Sequence, residues 1–467
     1  MNLEQLRKQA KELVRAARAG DEEALRRLGD LPPKLASAQT VLAREHGYPS
    51  WPALVAAAEA DVESFVVAAT SGRCERAERL LAARPELARD PWAALVLGRG
   101  WEGDPNEPGG PRGWGPLHYV CHSCFASVEL ARDLLQRGAD PNAFYANEHG
   151  PMSALYGAAG VRHDPELTRV LLEAGADPNA EPWFGDALYH SVEAESPECL
   201  RLLLEHGAEP RGSNALAHAL DDPREDHVRL LLEHGADPNE GALLVHAVRR
   251  GRPPEVLRLL AEAGAELDRR GGEWSTPPEQ HKSAYENAVL RGRDDYVRVL
   301  EELGASTDVS PEDRAVGAVA RGERPETPLP AELSADAQEV LILQALWGDL
   351  ELVVDLVGPG FFGHVGGGPP GTLLHAASWV GNPAIVARLL ELGADPVARS
   401  GAQFDTPIAW AALGSQAWRE RGRDYVRVVE LLLDAGAELE PRFPEVAEGP
   451  LAEWLGPRGR PETWSRP

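Results

Sequence analysis

The first sixty residues place apolar side chains at helical spacing. Six of them share one face between residues 3 and 18, with Glu, Arg and Lys opposite, which predicts an amphipathic helix. Three more short helices follow, and the residues predicted to cap, end or start them are Asp21, Arg27, Gly47 and Ser50. We therefore expect a small helical leader or cap over residues 1–60.

From Val62 onward the pattern changes to pairs of helices joined by a glycine turn. The first pair is FVVAATSGRCERAERLLAARPELA, with its turn at Gly72. In a more regular copy, Thr372 caps a short helix, Gly381 turns the chain, and Gly393 ends the second helix in the left-handed conformation. A pair of this size cannot bury its own apolar face, so neighbouring pairs must stack.

A Leu-rich helix followed by Gly-Ala, and usually by Asp or Glu, recurs along the chain. LLQRGADPNA, LLEAGADPNA, LLEHGADPNE and LLELGADP are four of its copies. The repeated glycines are Gly138, Gly175, Gly207, Gly235, Gly264, Gly304, Gly393 and Gly436. Most intervals lie near 33 residues, the period of a stacked helix-turn-helix repeat.

The motifs TLLHAASWVGNPAIVARLLELGADP, GPLHYVCHSCFASVELARDLLQRGADPNA and TPIAWAALGSQAWRERGRDYVRVVELLLDAGAELE resemble the ankyrin repeat. The resemblance covers about residues 62 to 441, and the opening stretch LAREHGYPSWPAL resembles the leader of many bacterial ankyrin proteins. The resemblance to the ankyrin repeat implies an all-α solenoid whose concave, finger-bearing surface binds other proteins. It also implies that the protein has no catalytic activity.

These patterns predict three sections: a leader over 1–60, an ankyrin solenoid over 61–441, and a cap and tail over 442–467. The repeat marker is lost between Gly304 and Gly393, where two degenerate units are expected at about 309–360. Inserts rich in Pro and Gly predict loops that project from the array.

The composition of the chain limits its expected partners and its expected location in the cell. The chain has 467 residues and a net charge of -27, and residues 61–467 hold 66 acidic against 38 basic groups, a balance of -28. Such a surface opposes phosphate backbones and anionic membranes and gives solubility, so we expect no nucleic acid and no membrane partner. No apolar run has the length of a membrane span, and the N-terminus is not a secretory signal. The prediction is a cytoplasmic protein, and its four lysines among 47 basic residues suggest a bacterial source.

Four cysteines are too few to stabilise a chain of this length through disulfide bonds, so we expect reduced thiols. The densest reactive cluster is His118, Cys121, His122 and Cys124. Helical offsets place the first three on one face, which makes a metal or thiol site conceivable. The ankyrin resemblance instead implies a structural histidine at His118, and a single Cys-x-x-Cys lacks a second pair. We therefore predict no metal, cofactor or enzymatic activity, and keep a metal or thiol protein as an alternative.

Three further histidines, His190, His218 and His246, occupy matching positions in successive repeats. Packed or partly exposed histidines explain this pattern better than metal ligands do, because other repeats carry Tyr, Gly, Asn, Ala or Trp there. The chain also lacks a phosphate-binding loop, Gly-x-Ser-x-Gly and His-Glu-x-x-His.

The expected partner surface lies on the fingers and at the ends of the first helices. The finger aromatics are Phe144, Tyr145, Trp183, Phe184, Trp274 and Phe404, and the rim charges are Glu193, Asp221, Arg249 and Arg250. Exposed aromatics often anchor protein interfaces, although these rings could also pack on neighbouring fingers. The sequence thus predicts a protein-interaction scaffold or adaptor. The alternative is a regulator whose acidic groove captures a basic protein.

Overall fold

The structure is a computed structural model, and it describes residues 3–147, 150–180, 187–272, 278–364, 370–401, 405–417, 423–439, 450–451 and 454. The chain forms two compact units, Met1–Asp237 and Pro238–Pro467. Regular structure is almost entirely helical, so the predicted all-α class is confirmed. The predicted section boundaries near residues 60 and 441 remain a prediction.

Within its described residues, the N-terminal section forms four helices, as the apolar pattern predicts. They are α1 (Leu3–Arg18), α2 (Glu22–Leu28), α3 (Leu35–Glu45) and α4 (Trp51–Glu59). Asp21 caps α2 by accepting a hydrogen bond from the Ala24 amide at 2.8 Å, and Ser50 caps α4 through the Ala53 amide at 3.3 Å. Both predicted caps are confirmed, because a side-chain oxygen satisfies an amide that has no partner within its helix.

Helices of the repeats follow in the first unit. They are α5 (Val62–Ala69), α6 (Cys74–Ala83), α7 (Pro91–Val96), α8 (Pro116–His122), α9 (Val128–Gln136), α10 (Pro165–Glu173), α11 (Ala187–Ser191), α12 (Glu198–Glu205), α13 (Ala215–Ala219) and α14 (Glu225–Glu233). A 3-10 helix at Pro85–Arg89 and a π-helical turn at Tyr156–Val161 interrupt the series. Strands β1 (Tyr145–Asn147) and β2 (Gly150–Met152) pair antiparallel.

First helices stack on first helices and second helices on second helices: α11 packs on α13, and α12 packs on α14. Buried leucines such as Leu203 and Leu231 form the layer between repeats. Most second helices end at a glycine with positive φ, for example Gly207 at 90°. A side chain would be strained in that conformation, which explains the recurring glycine.

Asparagines join consecutive repeats. In the first unit, Asn106, Asn142 and Asn179 each donate to the carbonyl of the glycine that ends the next repeat, at 2.7 to 2.9 Å. Each also accepts a hydrogen bond from the amide two residues after that glycine, at 2.7 to 2.8 Å. In the following repeat Arg211 replaces the asparagine and lies 3.7 Å from Asp237. The Asn of the Gly-Ala-Asp-Pro-Asn motif is therefore a connector between repeats.

The helices of the repeats continue in the second unit. Its helices are α15 (Leu243–Arg249), α16 (Pro254–Glu262), α17 (Ala284–Leu290), α18 (Asp294–Leu303), α19 (Pro311–Ala320), α20 (Ala335–Trp347), α21 (Leu350–Val357), α22 (Leu373–Trp379), α23 (Pro383–Glu391), α24 (Pro407–Ala417) and α25 (Tyr425–Asp434). A 3-10 helix spans Pro278–Gln280, and strands β3 (Phe362–Gly363) and β4 (Gly371–Thr372) pair antiparallel. Apolar side chains from α17 to α25 form one buried cluster.

Thr372 caps α22 as predicted, within a capping box formed with His375. The other ring nitrogen of His375 donates to the Asp405 carbonyl at 3.0 Å, and the side chain is fully buried. This histidine stands at the repeat's Thr-Pro-Leu-His position and acts there as a structural hydrogen-bonding group. None of the helices in the described ranges combines the length and apolar character needed to cross a membrane.

A disulfide joins Cys74, at the start of α6, to Cys124, just after α8. Their Cα atoms are 5.5 Å apart across 50 residues of sequence. The expectation that all cysteines are reduced is therefore wrong for this pair, and right for Cys121 and Cys199, which are free and buried. The repeat stack explains the pairing, because it brings the turn of one repeat against the next.

Candidate protein-binding surface

Two neighbouring repeats of the first unit bring polar and aromatic side chains together at the ends of their first helices, α11 and α13. We call this group the first-helix surface, and it consists of Tyr189, His190, Glu193, His218 and Asp221. In both repeats the acidic residue follows the histidine by three positions. Because α11 packs on α13, these matching positions lie side by side.

Glu193 is the centre of the hydrogen bonds in this surface. Its Oε1 accepts from Nδ1 of His190 at 2.9 Å and from Nε2 of His218 at 3.0 Å. Nδ1 of His218 lies 3.4 Å from Oδ2 of Asp221. One carboxylate thus bridges two consecutive repeats, and a second carboxylate adjoins the same imidazole ring.

Aromatic contacts hold the histidines in place. The rings of Tyr189 and His218 are parallel, with centroids 4.1 Å apart and an interplanar angle of 2°. Tyr156 and Tyr189 contact the His190 ring edge-on, at 5.2 and 5.0 Å. The surface is therefore ordered before any partner arrives, which lowers the entropy cost of binding.

The short first helices explain why these side chains avoid the core. Each helix has five residues and turns one apolar face inward. The buried positions are Ala187, Leu188 and Ser191 in α11 and Ala215, Leu216 and Ala219 in α13. The remaining positions stay half-buried or exposed, and the acidic residues fall in the turn after each helix.

The network favours an ionised Glu193. Partial burial raises the pKa of its carboxyl, but hydrogen bonds from His218 and His190 lower it by more, so the pKa lies below its usual value. Burial, with the nearby carboxylates of Asp221 and Glu193, raises the pKa of the Tyr189 hydroxyl. At neutral pH the first-helix surface therefore presents a carboxylate beside a neutral phenol.

Of the predicted rim charges, the structure brings Glu193 and Asp221 together and leaves their side chains 43% and 38% exposed. Arg250 is also exposed. Arg249 lies in a different setting: its side chain is 9% exposed and pairs with Asp336 at 2.7 Å. It is thus part of an internal contact of the second unit.

Among the predicted finger aromatics, Phe144 is 39% exposed. Tyr145 is half-buried, and its ring meets the His118 ring edge-on at 4.5 Å. It also packs over Gly115, where an added Cβ would lie 2.5 Å from the Tyr145 hydroxyl oxygen. Tyr145 therefore packs within the molecule. The other four predicted aromatics, Trp183, Phe184, Trp274 and Phe404, lie outside the described residues.

In the predicted reactive cluster, His118, Cys121 and His122 are buried and Cys124 is half-buried. Burial lowers the pKa of His118 to about 3 and of His122 to about 4, and it raises the pKa of the Cys121 thiol. Cys124 is bonded to Cys74 and is not available as a metal ligand. Across the part of the chain that the structure describes, no three His, Cys, Asp or Glu side chains are placed to hold a metal ion.

The site residues predicted from sequence include Glu193 and Asp221, and they do not include Tyr189 or the ring stack. The available signal was the spacing from histidine to acid in two successive repeats, with an aromatic residue just before the first histidine. On its own this signal is weak, because other repeats do not carry it.

Two protein-family models match the repeats of this chain. A model of three consecutive ankyrin repeats matches residues 155–242, and the single ankyrin-repeat model matches 112–144 and 372–401. Two solved structures are similar. The ankyrin repeat domain of Bcl-3, a member of the IkappaB protein family, is 28% identical, with 41% of this chain and 86% of that chain covered and a TM-score of 0.34. The human ASB11 ankyrin repeat domain is 25% identical, with 52% and 98% covered and a TM-score of 0.37. No curated protein matches the chain significantly.

Proposed function

We propose that this chain, which carries ankyrin repeats over residues 112–144, 155–242 and 372–401, is a non-catalytic scaffold or adaptor that binds another protein on the first-helix surface. Ankyrin repeats are generally protein-interaction modules. Stacked repeats build an extended surface from side chains that the core does not need. The proposal therefore places function on exposed side chains.

The observation that carries this proposal is the bridging of two repeats by Glu193. Two exposed carboxylates, two histidines and a tyrosine are held together by hydrogen bonds and ring stacking, yet none of them belongs to the buried core. Exposed polar side chains are normally mobile, and fixing them costs conformational entropy. A group already fixed in one arrangement is suited to recognise a partner of complementary shape and charge.

Affinity capture from a lysate of the native host tests the proposal. The site variant is Glu193→Arg/Asp221→Arg. The matched control is Glu205→Arg/Glu233→Arg, which makes the same charge change at exposed positions on the second helices α12 and α14 of the same two repeats. We expect the wild type and the control to retain a protein that the site variant loses.

Two results would contradict the proposal. If all three forms retained the same proteins, the first-helix surface would not be the binding site. If the purified protein turned over a substrate, the non-catalytic assignment would be wrong.

A further inference from the structure

Arg249 of the second unit occupies the repeat position that Glu193 and Asp221 occupy in the first unit. Each stands three residues after the histidine at the matching position of its own repeat, and these histidines are His190, His218 and His246. The charge at this position is therefore reversed between the repeats of His190 and His218 and the repeat of His246.

In the second unit, another helix of the same chain covers this position. Asp336 and Glu339 of α20 lie 2.7 and 3.6 Å from the Arg249 guanidinium, and Glu339 also pairs with Arg291 at 2.8 Å. The side chain of Asp336 is only 6% exposed. The molecule itself thus shows that the end of a first helix can bind a helical segment of opposite charge.

In two repeats of the first unit the same position is acidic and exposed. Residues 187–237 hold 11 Asp and Glu against 4 Arg and no Lys, a balance of -7. We propose that the first-helix surface binds a basic segment of the partner protein and that arginine side chains of this segment pair with Glu193 and Asp221. This inference rests on the proposed function and names the chemistry of the partner.

The aromatic stack favours arginine over lysine. The Tyr189 and His218 rings stack face to face, and the His218 ring nitrogens lie beside both carboxylates. A guanidinium group is planar, stacks on aromatic faces and can donate two parallel hydrogen bonds to a carboxylate. A lysine ammonium has neither the plane nor the fork. The surface therefore presents both features that distinguish arginine from a point charge.

Fluorescein-labelled peptides provide the test. The probe is an eight-residue peptide that alternates Arg and Ala, with matched peptides in which Lys or citrulline replaces Arg. Citrulline keeps the shape of arginine without its charge. Binding to the full-length protein is followed by fluorescence anisotropy at about 0.15 M salt, where distant charges are largely screened. The site variant is Glu193→Gln/Asp221→Asn, and the control is Glu205→Gln/Glu233→Gln.

We expect the Arg peptide to bind the wild type more tightly than the Lys peptide, and the citrulline peptide not to bind. The site variant should weaken binding of the Arg peptide about tenfold, while the control weakens it less than about twofold. Replacing the ring in Tyr189→Leu should bring the Arg and Lys affinities together. These substitutions are at partly exposed positions, and a thermal melt confirms that each variant is folded.

Equal weakening in the site variant and the control would show general attraction to an acidic protein and would overturn the inference. Absence of binding to the wild type would also overturn it. The proposed function fails separately, through the capture experiment. A third outcome separates the two proposals: Glu193→Arg/Asp221→Arg loses the captured partner, while Glu193→Gln/Asp221→Asn leaves Arg-peptide binding unchanged. This outcome would support the binding surface and contradict the proposal that it binds a basic segment.

Discussion

The side chain of Asn179 connects two repeats. Its Nδ2 donates to the Gly207 carbonyl at 2.8 Å, and its Oδ1 accepts from the Glu209 amide at 2.8 Å. A carboxamide is the side chain that can donate and accept at one point in this way. Gly207 has to remain a glycine for its left-handed conformation, so the two residues together determine how one repeat follows the next.

We expect Asn179→Ala to lower the free energy of unfolding of this region by about 1 to 3 kcal/mol, because two backbone groups lose their partner. Asn179→Asp keeps the acceptor for the Glu209 amide but cannot donate to the Gly207 carbonyl, so it should also lose stability. Hydrogen exchange at the Glu209 amide and urea unfolding measure both effects. Unchanged exchange in Asn179→Ala would show that the connection does not stabilise the stack.

The contact of Arg249 with Asp336 makes a second prediction. Arg249→Ala should cost about 3 to 5 kcal/mol, because it leaves the buried Asp336 carboxylate without its cation. Arg249→Leu/Asp336→Leu should cost much less, since both charges are removed together. Denaturant unfolding of the three proteins gives the comparison, and equal losses in the single and double variants would contradict it.

Gly317 lies where α19 packs on α17, and an added Cβ would be 2.1 Å from the Val289 carbonyl oxygen. Gly317→Ala should therefore destabilise the second unit by about 1 to 3 kcal/mol or more, because a backbone oxygen cannot turn aside. Gly360→Ala is the matched control, since nothing lies within 4 Å of its added Cβ. A similar melting temperature for both variants would show that the helices can separate without cost.

The buried His122 predicts a loss of stability in acid. Burial lowers its pKa from 6.5 to about 4 in the folded protein. The unfolded chain binds a proton as the pH falls below about 6.5 while the folded protein does not, so stability is full above that pH and is lost towards pH 4. The slope is about 1.4 kcal/mol per pH unit for one histidine. Urea unfolding between these pH values should show a shallower slope for His122→Gln, and equal slopes would contradict the assignment.

The Cys74–Cys124 disulfide predicts sensitivity to reducing agents. Reducing this bond should lower the free energy of unfolding by about 2 to 4 kcal/mol, because the unfolded chain regains the conformational entropy of a loop that spans 50 residues. Cys74→Ser/Cys124→Ser should show this loss without any reductant and should not respond further when a reductant is added. An equal response in both proteins would contradict the bond.

Alkylation of thiols in intact host cells tests the predicted cytoplasmic location, since that compartment keeps most thiols reduced.

The repeats, caps and turns could be predicted from sequence because each has a local cause. Asp21 and Ser50 cap their helices through amides three residues away, and Gly207 ends α12 in a conformation that glycine favours. Such features depend on a few neighbouring residues. Their physical basis is therefore visible in any short window of the chain.

Contacts between distant residues could not be predicted in the same way. Arg249 and Asp336 are 87 residues apart, and the degenerate repeats between them hide the path of α20. The Cys74–Cys124 pairing likewise depends on how two repeats stack. On the first-helix surface, the sequence indicated two separate charges, but the bridge that Glu193 makes between two histidines arises only from packing.

The asparagine connections also keep the contact between neighbouring repeats the same when the repeats differ in length. The glycines at 138, 175 and 207 are 37 and 32 residues apart, yet the hydrogen bonds from Asn142 and Asn179 that join them differ by only 0.1 Å. The antiparallel strands β1 (Tyr145–Asn147) and β2 (Gly150–Met152) lie within the longer interval. The segment after each connecting asparagine can therefore vary in length while the stack keeps its register. This makes such segments natural places to insert an epitope or a reporter domain.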